Sequence, residues 1–214
     1  MGQRPATIIT LTVLLLGVPV IALAQTPTSL TLNPATITGG QSSTGQVSLS
    51  GPAPTGGLAV ALVSSNKAAA TVPPSVTVAA GAVTASLKVA TVPVAQSATV
   101  TITAAAGGGS KTAQLHVLPP VPSSVTLAPS TVAGGTVVTG QVSPSGPAPA
   151  SGFAVNLSSS NPDVATVKPS ITVEAGATTA SFKVATVKVG QLTAVNIATS
   201  AGGVTKTAQL TVTP

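Results

Sequence analysis

The 214-residue chain has no cysteine, tryptophan or tyrosine, two phenylalanines, one histidine, and two acidic residues against eight lysines and arginines. Without cysteine there is no disulfide staple and no thiolate for zinc, so an exported form must be held together by packing alone. Phe153 and Phe182 are the only aromatics. They do not make a stacking platform for bases or sugars. Asp163 and Glu174 are the only carboxylates, whereas calcium takes about six to eight oxygens, several of them acidic. His116 has no acidic residue within its own half of the chain, so general acid–base work or nucleophile activation is not expected around it. With 5% charged residues, a single arginine at Arg4 and dispersed lysines, a nucleic-acid footprint is not expected either. The reading is therefore of a protein that is no enzyme, with no metal and no cofactor.

Low charge combined with low hydrophobicity would spell disorder. Here 43% of the residues are apolar, and a packed state is expected. The first stretch has its own logic: Arg4 precedes an apolar run from Ile8 to Leu23, and Ala22-Leu23-Ala24 offers a small-x-small cleavage site before Gln25. Residues 1–24 are read as a secretory signal peptide, with Pro19 inside a run too short for an ordinary spanning helix. After its removal no membrane association is expected. No sorting tail or anchor helix is expected downstream, and the localisation read is secreted or cell-surface.

What remains is one unit written twice. Ser29 to Pro119 and Ser124 to Pro214 align at a constant offset without a gap, which makes residues 25–119 one domain, 124–214 a second, and the proline-rich 120–123 a stiff linker. Alternation of period two, rich in Val and Thr and punctuated by Gly and Pro, predicts seven strands per copy. In the first copy they are Ser29–Leu32, Ser42–Leu49, Leu58–Val63, Ser75–Val78, Ala85–Thr91, Ala98–Ala104 and Lys111–Val117. Seven short strands without a helical stretch read as an all-β sandwich.

Alternation also assigns the inward face. Leu30, Leu32, Val47, Val60, Leu62, Val76, Val78, Leu87, Val89, Val100, Ile102, Leu115 and Val117 form the expected first core, and their counterparts 95 positions on, including Phe182, all remain apolar. Lys88, Gln114, His116, Asn156, Lys183, Asn196 and Gln209 fall on the outward phase. Gly107-Gly108, repeated as Gly202-Gly203, marks a β-hairpin turn. The stiff Ser50-Gly51-Pro52-Ala53-Pro54 loop recurs as Ser145-Gly146-Pro147-Ala148-Pro149 at one pole of each sandwich.

Ser64-Ser65-Asn66 before Ala70-Thr71-Val72, and Ser159-Ser160-Asn161-Pro162-Asp163-Val164-Ala165-Thr166-Val167 with the closing Thr207-Ala208-Gln209-Leu210-Thr211-Val212, resemble bacterial immunoglobulin-like repeats of the invasin-like type. The resemblance covers both copies. It implies tandem immunoglobulin-like β-sandwiches serving as spacers or binding modules in surface adhesins and secreted proteins. The aromatic often found just before the Ser-Ser-Asn segment is missing, and the outer-membrane barrel or wall anchor and specialised distal domain usual in invasin-like adhesins are not expected here.

Function is accordingly read as adhesion or an extracellular structural role. The alternatives are a self-assembling filament or matrix subunit and a carbohydrate-binding accessory module. An extracellular protein or glycan is the expected partner class, with self-association possible in principle. The loops Gly51–Gly57 and Gly146–Gly152 are the first candidates for contact. Lys88 with Lys183, and Lys111 with Lys206, are candidate contacts for anionic glycans, to be set against plain solvated lysines. Asn156-Leu157-Ser158 matches an N-glycosylation sequon on an outward strand position.

Overall fold

A computed structural model describes residues 24–214, so the leader read at 1–24 lies outside the described residues apart from Ala24. Among those residues the regular structure is all strand. No helix there is long and apolar enough to cross a membrane. The first half contains β1 (Pro27–Asn33), β2 (Thr36–Thr38), β3 (Ser42–Leu49), β4 (Leu58–Ser64), β5 (Ala70–Thr71), β6 (Ser75–Val78), β7 (Thr84–Thr91), β8 (Ala98–Ala106) and β9 (Gly109–Leu118). The second contains β10 (Pro122–Ala128), β11 (Thr131–Ala133), β12 (Val137–Pro144), β13 (Phe153–Ser159), β14 (Ala165–Val167), β15 (Ser170–Val173), β16 (Ala180–Thr186), β17 (Thr193–Ala201) and β18 (Val204–Thr213).

Each half forms a four-stranded sheet, β1-β3-β7-β5 or β10-β12-β16-β14, facing a five-stranded sheet, β2-β9-β8-β4-β6 or β11-β18-β17-β13-β15. No strand pairs across the halves. This is the immunoglobulin arrangement: the first, third and two following strands on one layer, the last two and the central strand on the other. The chain therefore consists of two tandem immunoglobulin-like sandwiches.

There are nine strands per half rather than the seven expected. The additions, β2 and β5 with their counterparts β11 and β14, are two or three residues long. So short a run shows no alternation. β2 declares itself only by pairing in parallel with β9, Thr36 opposite His116. The second sandwich also begins earlier than the repeat boundary: Pro122 already pairs with Pro144 as the start of β10, which leaves Pro119, Pro120 and Val121 between β9 and β10.

The inward phase is as alternation requires. In the first half Val47, Val60, Val78, Val89, Val100, Ile102, Leu115 and Val117 are fully buried, with Leu32 and Val76 half-buried against them. In the second half Val142, Val155 and Val173 gather with Phe153 at one end, and the rest pack around Phe182. One inward position is glycine in both copies. Gly45 lies opposite Leu87 and Gly140 opposite Phe182. A Cβ at Gly45 would meet Leu87 Cγ at 2.8 Å, and one at Gly140 would meet Phe182 Cε1 at 2.8 Å with two other ring carbons nearer still. Glycine here makes room for the large side chain across the strand.

The predicted hairpin is a two-residue turn, Ala106 pairing with Gly109 around Gly107 and Gly108 at φ 57° and 82°. Both residues lie in the left-handed region, as a tight turn matched to strand twist demands.

Candidate functional site

The motif that carries the family resemblance is built into the framework. Ser64 Oγ donates to the Ala70 carbonyl at 2.7 Å and accepts from Asn66 N–H at 3.3 Å, tying the chain down where it leaves β4 for β5. Ser65 Oγ accepts from Thr101 N–H at 2.9 Å, and Ser160 repeats this with Asn196 at 2.9 Å. Asn66 Oδ1 accepts from Ala68 N–H at 3.1 Å, a local turn. These side chains are consumed by backbone groups. Sequence alone gave no sign of that use.

His116 stands exposed on β9, its Nδ1 3.0 Å from Thr99 Oγ1. Asp163 lies in the turn leading into β14 and Glu174 in the turn after β15, at opposite ends of the second sandwich, and both are exposed. Among the described residues no group of three or more metal-binding side chains comes together. The structure thus brings none of these three residues toward another. Asn156, the sequon position, is exposed within β13.

The two proline loops are not equivalent surfaces. Gly146 and Pro149 are buried where Gly51 is half-buried and Pro54 exposed. The difference is the first sandwich, whose base seats on the second loop. Gln41 Nε2 donates to the Ser145 carbonyl at 3.2 Å. A Cβ at Gly146 would lie 2.9 Å from Thr38 Cγ2, and one at Gly40 would lie 2.5 Å from Pro147 Cγ. Gly40 has φ 90°, so glycine is favoured there twice over. Beside this contact a cleft of about 280 Å³ is lined by Ala95, Pro119, Pro120, Pro149, Phe153 and Gly202 among others, with no charged side chain to orient a ligand. The loop expected to be a free contact in the second half is therefore a joint. The loop Gly51–Gly57 is not covered by the other sandwich, and it is tied to the β6–β7 turn by Ala53 N–H donating to the Ala82 carbonyl at 2.8 Å and by Gly81 N–H donating to the Ala53 carbonyl at 2.9 Å.

The two lysine pairs lie on different layers. Lys88 and Lys183 project from the four-stranded sheets, on β7 and β16, and Lys111 and Lys206 belong to β9 and β18 of the five-stranded ones. Lys183 Nζ donates to Thr139 Oγ1 at 2.8 Å across the strand pair.

No protein-family model and no curated protein matches the chain. Similar solved structures include the Yersinia pseudotuberculosis adhesin InvE, 18% identical over 86% of this chain and 58% of that one, with a TM-score of 0.39. The Escherichia coli adhesin FdeC is 20% identical over 86% of this chain and 62% of its own, TM-score 0.36. The titin I-band fragment I67–I69 is 12% identical over 89% and 65%, TM-score 0.37. The chain spans less than two thirds of each. The likeness concerns the fold alone, for which strand order and register in each half are the evidence.

Proposed function

We propose that this is a non-catalytic extracellular protein whose two immunoglobulin-like domains, bounded near residues 119 and 124, act as an adhesive or spacer module. The observation that carries the proposal is the joint. The proline-stiffened loop Ser145–Pro149 of the second sandwich is seated on the turn Thr38–Gln41 of the first, so the domains are stacked pole to pole and their sheet faces are left open to the side. Stacked domains with free lateral faces suit a rod that holds binding surfaces away from its point of attachment. The bacterial adhesins of similar fold are in keeping with that role, and the leader read at the N-terminus supplies the route of export. Attachment of the purified protein to cells or extracellular matrix, measured against a single-domain half, tests the reading. Saturable attachment is expected, and its absence from every surface tried would leave a spacer role only.

A second reading, end-to-end self-association, is favoured by apolar side chains at the base of the second sandwich. Val137, Val187 and Leu192 are 62%, 49% and 66% exposed there, at the pole equivalent to the one occupied in the first. Sedimentation at high concentration decides it: a concentration-dependent mass supports association, and a constant monomer mass eliminates it.

A further inference from the structure

We propose that the base of the second sandwich docks on the loop 50–54 of another copy of this chain, repeating between molecules the joint that stacks the two halves. The inference rests on the end-to-end reading and names its two surfaces. The joint within the chain needs two pieces, the turn 38–41 at the base of the first sandwich and the loop 145–149 at the facing pole of the second. The duplication supplies each piece a second time. The turn recurs at 133–136, and the loop recurs residue for residue as Ser50-Gly51-Pro52-Ala53-Pro54.

The spare pieces have the shape of the engaged ones. Gly40 and Gly135 have φ 90° and 93°, while Gly39 N–H donates to the Leu118 carbonyl at 3.0 Å and Gly134 N–H to the Thr213 carbonyl at 2.9 Å. In the loops, Gly81 N–H donates to the Ala53 carbonyl and Gly176 N–H to the Ala148 carbonyl, both at 2.9 Å. What differs is cover, and identical residues report it. Gly39 is buried at the joint and Gly134 half-buried; Gly146 and Pro149 are buried, Gly51 half-buried and Pro54 exposed. The shortfall falls on both halves of a contact whose fit the chain itself demonstrates. The two spare surfaces lie at opposite ends of the stacked sandwiches, so what covers each is the matching surface of another copy. Prolines already stiffen the loop, so little freedom is lost when it is engaged.

Local differences make the contact between molecules weaker than the one within the chain. Gln41, whose Nε2 donates to the Ser145 carbonyl at 3.2 Å, is replaced by Thr136, whose hydroxyl donates to the Ala133 carbonyl at 2.7 Å instead. Pro93, beside Gly40, is replaced by Lys188. A Cβ at Gly146 would meet Thr38 Cγ2 at 2.9 Å, whereas one at Gly51 would meet Gln25 Oε1 at 2.8 Å. Gln25, which accepts from Ser50 Oγ at 2.8 Å, therefore swings aside when a base docks there. The joint within the chain also benefits from its short linker, which acts as an effective concentration on the order of 1 mM, so association between chains is expected as that concentration is approached. A turn meeting a loop is a heterologous contact, and with the two surfaces at opposite ends it builds an open row of chains instead of a closed dimer.

The test is equilibrium sedimentation of the protein beginning at Gln25, from about 0.02 to 1 mM. The average mass should rise with concentration past that of a dimer. Pro52→Arg puts a cation on an exposed loop residue, facing Lys188 of the docking copy, and should weaken association roughly tenfold or more. Thr136→Gln with Lys188→Pro rebuilds the first base in the second and should strengthen it roughly three- to tenfold, the worth of one hydrogen bond. Val137→Ser with Leu192→Ser is the control: it installs the residues of the first base, Ser42 and Ser97, which stay exposed with the joint formed, and should change association by less than about twofold. Association unmoved by Pro52→Arg, equal loss in the serine control, or a mass that levels off at a dimer overturns the proposal while the end-to-end reading stands, as an apolar contact between two bases. A constant monomer mass refutes both.

Discussion

Replacing Gly140 by alanine tests the packing argument at its tightest point. The new Cβ would meet Phe182 Cε1 at 2.8 Å, with Cζ and Cε2 closer still, against the roughly 3.5–4.0 Å at which carbon atoms rest comfortably. Phe182 is 5% exposed, so its ring has no solvent to swing into. Overpacking of this kind costs about 1–3 kcal/mol, and removing a mid-strand glycine returns about 0.5–1 kcal/mol. A net loss of about 1–2 kcal/mol is expected, which in a domain of roughly 90 residues lowers its Tm by about 4–16 °C. Gly45→Ala in the first sandwich faces the more adaptable Leu87, with Cγ at 2.8 Å and both Cδ atoms at 3.1 Å, and should cost less. In a Phe182→Leu background the penalty of Gly140→Ala should fall to that of Gly45→Ala. Urea denaturation of the four proteins of this cycle measures the coupling. A neutral or stabilising Gly140→Ala, or the same cost in both backgrounds, would refute the reasoning.

Ser64→Ala removes a donor from the Ala70 carbonyl and an acceptor from Asn66 N–H at a buried site, and should cost about 1–3 kcal/mol by urea denaturation. Gly40→Ala and Gly135→Ala both place a side chain at φ near 90° and should destabilise alike. Only Gly40→Ala meets Pro147, whereas the nearest atom at Gly135 is Lys188 Cγ at 3.8 Å, so only the former should loosen the joint and raise the radius of gyration in solution scattering. His116→Thr, the residue of the second copy at that place, should change stability by less than about 0.5 kcal/mol and leave attachment intact. Chelation of divalent cations should leave both thermal transitions unmoved, since Asp163 and Glu174 occupy separate turns.

The inward and outward faces were legible because a strand's side chains alternate and one face of each layer is buried, so Val89 and Lys88 could be separated without coordinates. The hairpin at Gly107-Gly108 was equally plain, since its geometry is local. β2 and β5 were not, being defined by partners far along the chain: Ile37 is held by parallel pairing with Val117. The roles of Ser64 and Ser65 depend on backbone groups in β5 and β8. The loop at Pro147 was recognisable as stiff, but what presses on it is the base of the other sandwich, a tertiary fact without a sequence pattern.

The central claim is that two independent sandwiches are stacked pole to pole, and small-angle X-ray scattering of the protein beginning at Gln25 tests it most directly. Strands of up to 10 residues make each sandwich about 35 Å long, and two compact domains stacked at that spacing give a radius of gyration of about 21–24 Å with a two-lobed distance distribution. A single-lobed distribution with a radius near 16 Å, the value for one globule of roughly 190 residues, would contradict it.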